Sequence, residues 1–298
     1  MNTAIAQPAS LRDSLRLLNW VYNPFQSLGV TAVYDLLSTK APTERGLWLN
    51  LGYWREAKTL DDACQAMAAL LADTVGMGPE DEVVDAGFGF ADQDIFWARQ
   101  YRPRHILGLN LTASQVTTAR ARVAELGLSD QIELREGSAT AMPLPAASAD
   151  VVTALESAFH FDTREHFFRE AFRVLRPGGR LVLADIVPTP AASGLFAYLK
   201  QRLSWGLMAG KFPIPRQNVY SRDYYRDLLR VAGFESVRVE SIRNDVYGPL
   251  HQFLKQDQHA VARLHPLIRP MARLMLSSNS AGVFNGLDYV LAVANKPV

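Results

Sequence analysis

Between Glu82 and Val187 the sequence alternates short apolar runs with stretches that have helical spacing. The apolar runs lack strict polar and apolar alternation, which is typical of strands buried on both faces of a sheet. The predicted strands are Val83–Ala86, His105–Leu109, Ile132–Arg135, Val151–Leu155 and Leu181–Val187, and the predicted helices between them are Asp92–Tyr101, Thr112–Leu126 and Arg164–Leu175. This alternation predicts an α/β fold with helices on both faces of a parallel sheet.

After Val187 the alternation stops, and two further strands are predicted at Ser236–Ile242 and Leu287–Ala294. The whole pattern predicts a Rossmann-like, doubly wound, mostly parallel sheet of seven strands with helical lid insertions. Long structureless loops are uncommon in a compact domain, so the insertions are expected to contain helices. The predicted parts are an N-terminal helical arm and lid (1–58), a core (59–187), a lid insertion (188–220) and a C-terminal part of the core (221–298) with a helical insertion over 246–285.

Charge and cysteine content exclude several classes of protein. The 298 residues include 31 basic and 30 acidic side chains, without the basic excess of a nucleic-acid binder. Cys64 is the only cysteine, which excludes an intrachain disulfide and suits a reducing compartment. No run reaches the roughly 18 apolar residues of a membrane span, and the first ten residues lack the pattern of a signal peptide. We therefore expect a cytoplasmic protein with a small-molecule partner, and its N-terminal helices offer a contact for a homo-oligomer.

A glycine-rich turn follows the first predicted strand, with Asp85 before Gly87 and Gly89. Glycines allow a tight turn and a close approach of the backbone to a ligand. The dinucleotide pattern is not met, because Asp92 occupies the place of its last small residue. An acidic residue before the glycines suits a ligand with an ammonium group, such as S-adenosylmethionine. The alternative is an ordinary turn between a strand and a helix.

Polar residues also follow the second and third predicted strands. Asn110 lies where a ribose is usually bound in such folds, although Asn110 and Thr112 also suit the start of a helix. Ser138 and Ala139 follow the third strand at the same edge of the sheet. They are candidates for contact with an adenine, or they belong to an ordinary polar loop.

Several segments, in this order, resemble the motifs of class I S-adenosylmethionine-dependent methyltransferases of the small-molecule, natural-product branch. They are Val84–Gly89 (VDAGFG), Gly108–Gln115 (GLNLTASQ), Leu155–His160 (LESAFH) and Leu175–Leu181 (LRPGGRL). Asn50–Trp54 (NLGYW), Asp94–Trp97 (DIFW) and Glu136–Thr140 (EGSAT) are similar to the erythromycin O-methyltransferase type. The sequence departs from the family pattern at two positions. Ala91 replaces the usual third glycine, and Asn110 replaces the acidic residue that commonly binds the ribose.

The resemblance implies S-adenosyl-L-methionine as cofactor and S-adenosyl-L-homocysteine as product. It also implies cofactor contacts by Leu111 and Gln115 after the second strand, by Tyr53 at the amino acid end, and by Glu156 after the fourth strand. No metal is expected, because the six histidines and one cysteine show no metal-ligand spacing.

His160 lies five residues beyond the fourth predicted strand, at the ligand-binding edge. An imidazole with a pKa of about 6.5 suits a general base that removes a proton from a hydroxyl acceptor. Asp185, late in strand five, is a candidate to orient His160 or to hold the acceptor. Glu156 is a candidate for contact with substrate or cofactor. The alternatives are a structural histidine and a buried, satisfied carboxylate.

Aromatic residues are concentrated before the sheet and in the insertions. An aromatic lid suits an apolar acceptor, and it attracts a sulfonium cation, although core packing explains any single ring equally well. The lid candidates are Trp20, Tyr22, Phe25, Tyr34, Trp48, Tyr53 and Trp54, and the acceptor-pocket candidates are Phe161, Phe196, Trp205 and Phe212.

The resulting prediction is a methyltransferase that acts on a bulky, largely apolar molecule of secondary metabolism, at a hydroxyl oxygen, with His160 as base. A methyltransferase that acts on a prenyl or other alkene carbon through a carbocation is the first alternative. A non-catalytic cofactor-binding protein and a nucleic-acid methyltransferase are weaker alternatives, the latter because of the near-zero charge.

Overall fold

The computed structural model describes residues 11–23, 43–211, 214–264 and 266–298. The part of the predicted N-terminal arm over 24–42, the lid candidates Phe25 and Tyr34 and the acceptor-pocket candidate Phe212 lie outside these ranges.

A seven-stranded sheet forms the centre of the fold, in the order β3-β2-β1-β4-β5-β7-β6. The first five strands of that order are parallel, and β7 is antiparallel to both β5 and β6. This confirms the prediction of a doubly wound, mostly parallel sheet. The strands are β1 (Glu82–Ala86), β2 (His105–Asn110), β3 (Ile132–Glu136), β4 (Ala149–Leu155), β5 (Leu175–Pro188), β6 (Glu235–Ser241) and β7 (Leu287–Asn295).

Helices cover both faces of the sheet, and neighbouring strand residues serve opposite faces. Val83 packs into the apolar layer with Met67 and Trp97, whereas Val84 packs into the layer with Phe167 and Phe168. The helices are α1 (Leu11–Tyr22), α2 (Leu60–Val75), α3 (Asp92–Gln100), α4 (Ala113–Glu125), α5 (Arg164–Val174), α6 (Leu195–Lys211), α7 (Arg222–Val231), α8 (Tyr247–Gln256), α9 (Gln258–Arg263), α10 (Arg269–Ser277) and α11 (Ser280–Val283). None of those in the described part of the chain is long and apolar enough to cross a membrane.

Two predicted boundaries were wrong. Strand β5 begins at Leu175 instead of Leu181, because Leu175 pairs with Ala149 of β4 and the turn at Gly178 donates a hydrogen bond to Lys296 O beyond β7. The stretch 250–276 of the predicted helical insertion (246–285) is not one continuous helix but is divided into α8, α9 and α10. Asp257 separates α8 from α9, because its side chain accepts hydrogen bonds from the backbone N–H groups at the start of α9.

Residues 43–58, here called the strap, are irregular and cross the carboxyl edge of the sheet. Asp61 anchors the start of the strap, because its carboxylate accepts the N–H groups of residues 44–46. Trp54 anchors its end by donating its backbone N–H to Asp245 O and by packing on Phe253 of α8, with 4.9 Å between ring centres. The strap thus links the core to the C-terminal insertion.

Candidate active site

A pocket opens where the strand order reverses between β1 and β4. It is lined by the turns after β1, β2, β3 and β4 and by strap residues. Ligands of open α/β sheets bind at this switch point, outside the carboxyl ends of the strands. The lining includes the predicted residues Gly87, Gly89, Asn110, Leu111, Gln115, Ser138, Ala139, Glu156, His160 and Phe161.

The glycine turn after β1 is closely packed against the turn after β4. Gly87 has a φ of +92°, and a Cβ atom there would overlap the side chain of Ser157. Ser157 Oγ in turn donates a hydrogen bond to Ala86 O. Ala91, at the position of the third family glycine, has a φ of +65° and therefore keeps the left-handed conformation that glycine adopts most easily.

Asp85 lies in β1, directly before this turn. Its carboxylate is fully buried and accepts hydrogen bonds from Thr153 Oγ1 (2.7 Å) and Gln93 Nε2 (3.0 Å). Burial raises the pKa of Asp85 to about 6, and the two hydrogen bonds oppose that rise. The pKa of the neighbouring Asp94 is raised well above its usual value, first by burial and then by repulsion from Asp85. Asp85 is not among the residues that line the pocket, and its contact with an ammonium group stays a prediction.

The turn after β2 presents an amide pair to the pocket. Asn110 Nδ2 donates to Gln115 Oε1 over 2.9 Å, and Asn110 Oδ1 accepts the N–H of Thr112 over 3.1 Å. Gln115 is 3% exposed, and its Nε2 has no hydrogen-bond partner among the described residues. A buried donor without a partner costs free energy until a ligand or water accepts from it. Leu111 is exposed at the rim.

The turn after β3 contributes Ser138 and Ala139. Ser138 Oγ lies 2.9 Å from Thr140 Oγ1 and accepts the N–H of Thr140 over 3.2 Å. Ala139 is buried. The turn is therefore held by its own side chains, and it forms the pocket wall beside Gly137.

Glu156 and His160 bring ionisable groups into the same pocket. Glu156 has a φ of +51°, and its Oε1 accepts the N–H of Leu51 and the hydroxyl of Tyr289, each over 2.6 Å. Burial raises the pKa of Glu156 to about 7, against the effect of these two donors. His160 ends a short 3-10 turn, with its ring centre 4.1 Å from that of Phe159.

Asp185, the predicted partner of His160 or of the acceptor, contacts an arginine. It forms a fully buried ion pair with Arg164, whose Nε lies 2.7 Å from Asp185 Oδ2. It also accepts hydrogen bonds from Tyr225 Oη and from the N–H of Ile186. Asp185 is not among the residues that line the pocket, so its orientation of His160 or of an acceptor finds no support in these contacts.

Arg164 and Asn218 were missed by the sequence reasoning. Arg164 donates its backbone N–H to Asn218 Oδ1, and Asn218 Nδ2 donates to the carbonyls of Phe159 and Phe161. These bonds hold both sides of the loop that carries His160. An arginine at the start of an amphipathic helix is normally solvated, and so no sequence signal distinguishes it.

The strap contributes other residues than expected. Leu47, Leu49 and Asn50 line the pocket. Tyr53 does not line it, and instead lies half-buried with the Arg55 guanidinium 5.4 Å from its ring centre. The contact of Tyr53 with the cofactor stays a prediction.

Most of the other aromatic candidates have structural roles. Trp48 and Trp54 are buried in the core, Trp205 packs against it, and Trp20 is buried with Met271 of α10. Phe196 is 83% exposed on α6, which is not the setting of a residue inside a pocket. Phe161 alone of the described pocket candidates is among the lining residues.

The electrostatic character of the pocket is acidic. Among the described residues that line it, Glu156 and Asp162 are the carboxylates, His160 is the only imidazole, and there is no lysine or arginine. Such a lining favours a ligand that carries positive charge. With the glycine turn and the unpartnered Gln115 amide, it fits a sulfonium nucleoside better than a dinucleotide pyrophosphate.

Comparison with known proteins also indicates a methyltransferase. Residues 84–183 match the methyltransferase domain family. The erythromycin 3''-O-methyltransferase of Saccharopolyspora erythraea is 36% identical, with 99% of each chain covered. The 27-O-demethylrifamycin SV methyltransferase of Amycolatopsis mediterranei is 34% identical over 72% of this chain and 75% of its own.

Among solved structures, a geranyl diphosphate C-methyltransferase from Streptomyces coelicolor, in complex with S-adenosyl-L-homocysteine, has a TM-score of 0.63. It is 19% identical and covers 97% of this chain and 99% of its own. At that identity the likeness concerns the fold. The pocket lies at the carboxyl edge of the sheet, where folds of this class bind their ligands. The full-length match shows that the chain belongs to the family of S-adenosylmethionine-dependent methyltransferases.

Proposed function

We propose that the enzyme transfers a methyl group to a hydroxyl oxygen of a bulky, largely apolar natural product, with His160 as general base. The observation that carries the proposal is the presence of His160 in the same pocket as the glycine turn. Support also comes from the relative that matches 99% of the chain and is an O-methyltransferase of a macrolide.

The cofactor would lie across the turns after β1, β2 and β3, here called the cofactor half of the pocket. Gly87 and Gly89 leave room for its methionine part, because a side chain at either position would project toward Ser157 or Leu49. Asn110 and Gln115 would bind the ribose hydroxyls, with Gln115 Nε2 supplying the unused donor. Leu111, Ser138 and Ala139 would surround the adenine.

The strap and the loop after β4 form the opposite wall, here called the acceptor half. An acceptor held there would present its oxygen in line with the methyl–sulfur bond. As the new O–C bond forms and the C–S bond breaks, the hydroxyl proton would pass to His160. The sulfonium loses its charge in this step, so the products are the methyl ether and S-adenosylhomocysteine. Glu156 would favour the positive charge of the bound cofactor.

The charge of the lining also bears on the alternative of carbon methylation. The structural neighbour from S. coelicolor is a complex with geranyl diphosphate. A diphosphate carries several negative charges, whereas the described lining of this pocket contains Glu156 and Asp162 and no basic side chain. Without a divalent cation such as the Mg²⁺ of that complex, this lining favours a neutral or cationic acceptor over a diphosphate. An uncharged alkene acceptor stays compatible with the same walls.

The first experiment is calorimetric titration with S-adenosylhomocysteine, with NAD as the control ligand. Micromolar affinity for S-adenosylhomocysteine alone is expected. Acceptors are then screened among macrolide glycosides, phenols and prenyl diphosphates, and NMR of the product decides between a new O-methyl and a new C-methyl group.

His160→Ala tests the general base. It should lower kcat about 10²–10⁴-fold and leave S-adenosylhomocysteine affinity within a few-fold. The matched control is His166→Ala, which changes an exposed histidine of α5. Near-normal turnover of His160→Ala with the true acceptor would refute the assignment.

A further inference from the structure

Tyr289 connects the pocket to strand β7. It lies in β7 with a fully buried side chain, and its hydroxyl donates to Glu156 Oε1. The N–H of Leu51 in the strap donates to the same oxygen. One carboxylate oxygen therefore joins three distant parts of the chain. Because Glu156 also lines the pocket, its Oε2 is the oxygen left for a ligand.

The phenol of Tyr289 is held rigidly. Its backbone pairs with Ile186 of β5, and its carbonyl accepts the N–H of Ile242 over 2.8 Å. Its ring meets the ring of Tyr247 edge to face at 5.9 Å, and Tyr247 stacks on Phe284 at 4.6 Å. A donor fixed in this way restricts the side chain of Glu156 to one direction.

The surroundings give the Glu156 carboxylate little other support. Cys64 of α2, Tyr247 of α8 and Asp185 of β5 interact with it electrostatically, and none of the three supplies positive charge. His160 lines the same pocket, and among the described lining residues it is the only one whose side chain can become positive by protonation. The two hydrogen bonds are therefore the main stabilisation of the charged form of Glu156.

We propose that Tyr289 is a positioning residue for methyl transfer, which together with the Leu51 N–H holds one oxygen of Glu156 so that the other faces the cofactor and acceptor. This inference rests on the proposed methyltransferase function. Loss of the Tyr289 hydroxyl removes one of the two donors to the carboxylate. The charged form then becomes less stable, and the pKa of Glu156 rises further above 7.

The direct test uses protein labelled with ¹³C at the glutamate carboxyl carbons, titrated by NMR. Glu156→Gln assigns the signal by its disappearance. Tyr289→Phe is expected to raise the titration midpoint of Glu156 by about one pH unit. Incorporation of 3,5-difluorotyrosine at position 289, a stronger donor of nearly the same shape, should lower it.

Tyr101→Phe is the matched control. It removes a comparable bond, from Tyr101 Oη to Asp73 Oδ1 over 2.7 Å, away from the pocket. It should leave the Glu156 midpoint unchanged. A folded Tyr289→Phe protein, or the fluorinated protein, with the wild-type midpoint would overturn the inference.

Activity supplies the second measurement. In Tyr289→Phe the acidic limb of the kcat–pH profile should move to higher pH, by the same interval as the titration midpoint of Glu156. At pH values above the shifted limb, kcat should approach that of the wild type. An unshifted limb, with methylation intact, would refute the positioning role alone. A wild-type enzyme that binds S-adenosylhomocysteine but methylates no acceptor would instead refute the proposed function, and the NMR titration would still report on Tyr289.

Discussion

The cofactor half of the pocket is lined by turns that directly follow β1, β2 and β3, whereas the acceptor half is lined by the strap and the loop after β4. In the cofactor half, contacts are mostly short in sequence, as from Asn110 to Thr112 and Gln115. In the acceptor half they are long, as from Leu51 to Glu156 and from Glu156 to Tyr289.

The helices show the same contrast. Helix α2 buries residues along most of its length and has an N-cap at Thr59 and a left-handed C-cap at Gly76. Helix α6 of the lid leaves Leu195, Phe196 and Leu203 between 65% and 83% exposed. The core can therefore be predicted from local sequence rules. The acceptor half instead depends on a few polar contacts with residues that are distant in the sequence.

The largest expected effect tests the anchor of the acceptor half. Arg164→Met removes the cation from a fully buried pair with Asp185, and the remaining buried charge should cost about 3–5 kcal/mol of unfolding free energy. Urea denaturation measures it. Methyl transfer should fall more than S-adenosylhomocysteine affinity, because the loop of His160 loses its support.

Arg169→Met is the control on the same helix. Its pair with Glu165 is exposed, so a cost of about 0.5 kcal/mol or less is expected. Equal losses in the two variants would contradict the importance of the buried pair.

Next in size is the glycine turn of the cofactor half. Gly87→Ala places a side chain on a residue with a φ of +92°, where the new Cβ atom also overlaps Ser157. Backbone strain and overlap together should lower the free energy of unfolding by about 2–3 kcal/mol. S-adenosylhomocysteine affinity should fall with it, as calorimetry would show. Gly127→Ala separates the two causes, since its φ is +67° with no atom within 4 Å. It should cost only about 1 kcal/mol, and a loss as large as that of Gly87→Ala would show that overlap is unimportant.

The smallest expected effect concerns the strap. Asp61→Ala removes the acceptor for three backbone N–H groups, and about 1–2 kcal/mol of stability should be lost. A looser strap should raise the KM for the acceptor more than it changes S-adenosylhomocysteine affinity. Asp62→Ala, which alters an exposed pair with Arg45, should leave that KM unchanged. A strap that matters only for folding would show equal KM values in both variants.

Most strand and helix positions were predictable, and the caps of α2 at Thr59 and Gly76 are residue types that commonly begin and end helices. Apolar spacing and capping residues act within one or two turns of chain. The start of β5 was missed because its first residues pair with Ala149 and with the end of β7. The local sequence pattern around Leu175 does not indicate either of these pairing partners.

The candidate site was predictable where a residue follows directly from a strand end. Gly87, Asn110, Ser138, Glu156 and His160 all line the pocket. The parallel strands of this fold end at one edge of the sheet, so residues just beyond them meet there. The partners of the Asp85 and Asp185 carboxylates were not predictable, because a strand position does not indicate which buried group a side chain will contact.

Sequence alone determined the doubly wound sheet and the glycine turn, since periodicity and turn residues reflect contacts between near neighbours. The methyltransferase class followed from the resemblance of the ordered motifs to a known family. Tertiary structure decided the partners of the buried charges: Arg164 for Asp185, and Tyr289 with Leu51 for Glu156. A buried charge must be neutralised or hydrogen-bonded, and folding brings the necessary groups from segments more than a hundred residues apart in the case of Glu156.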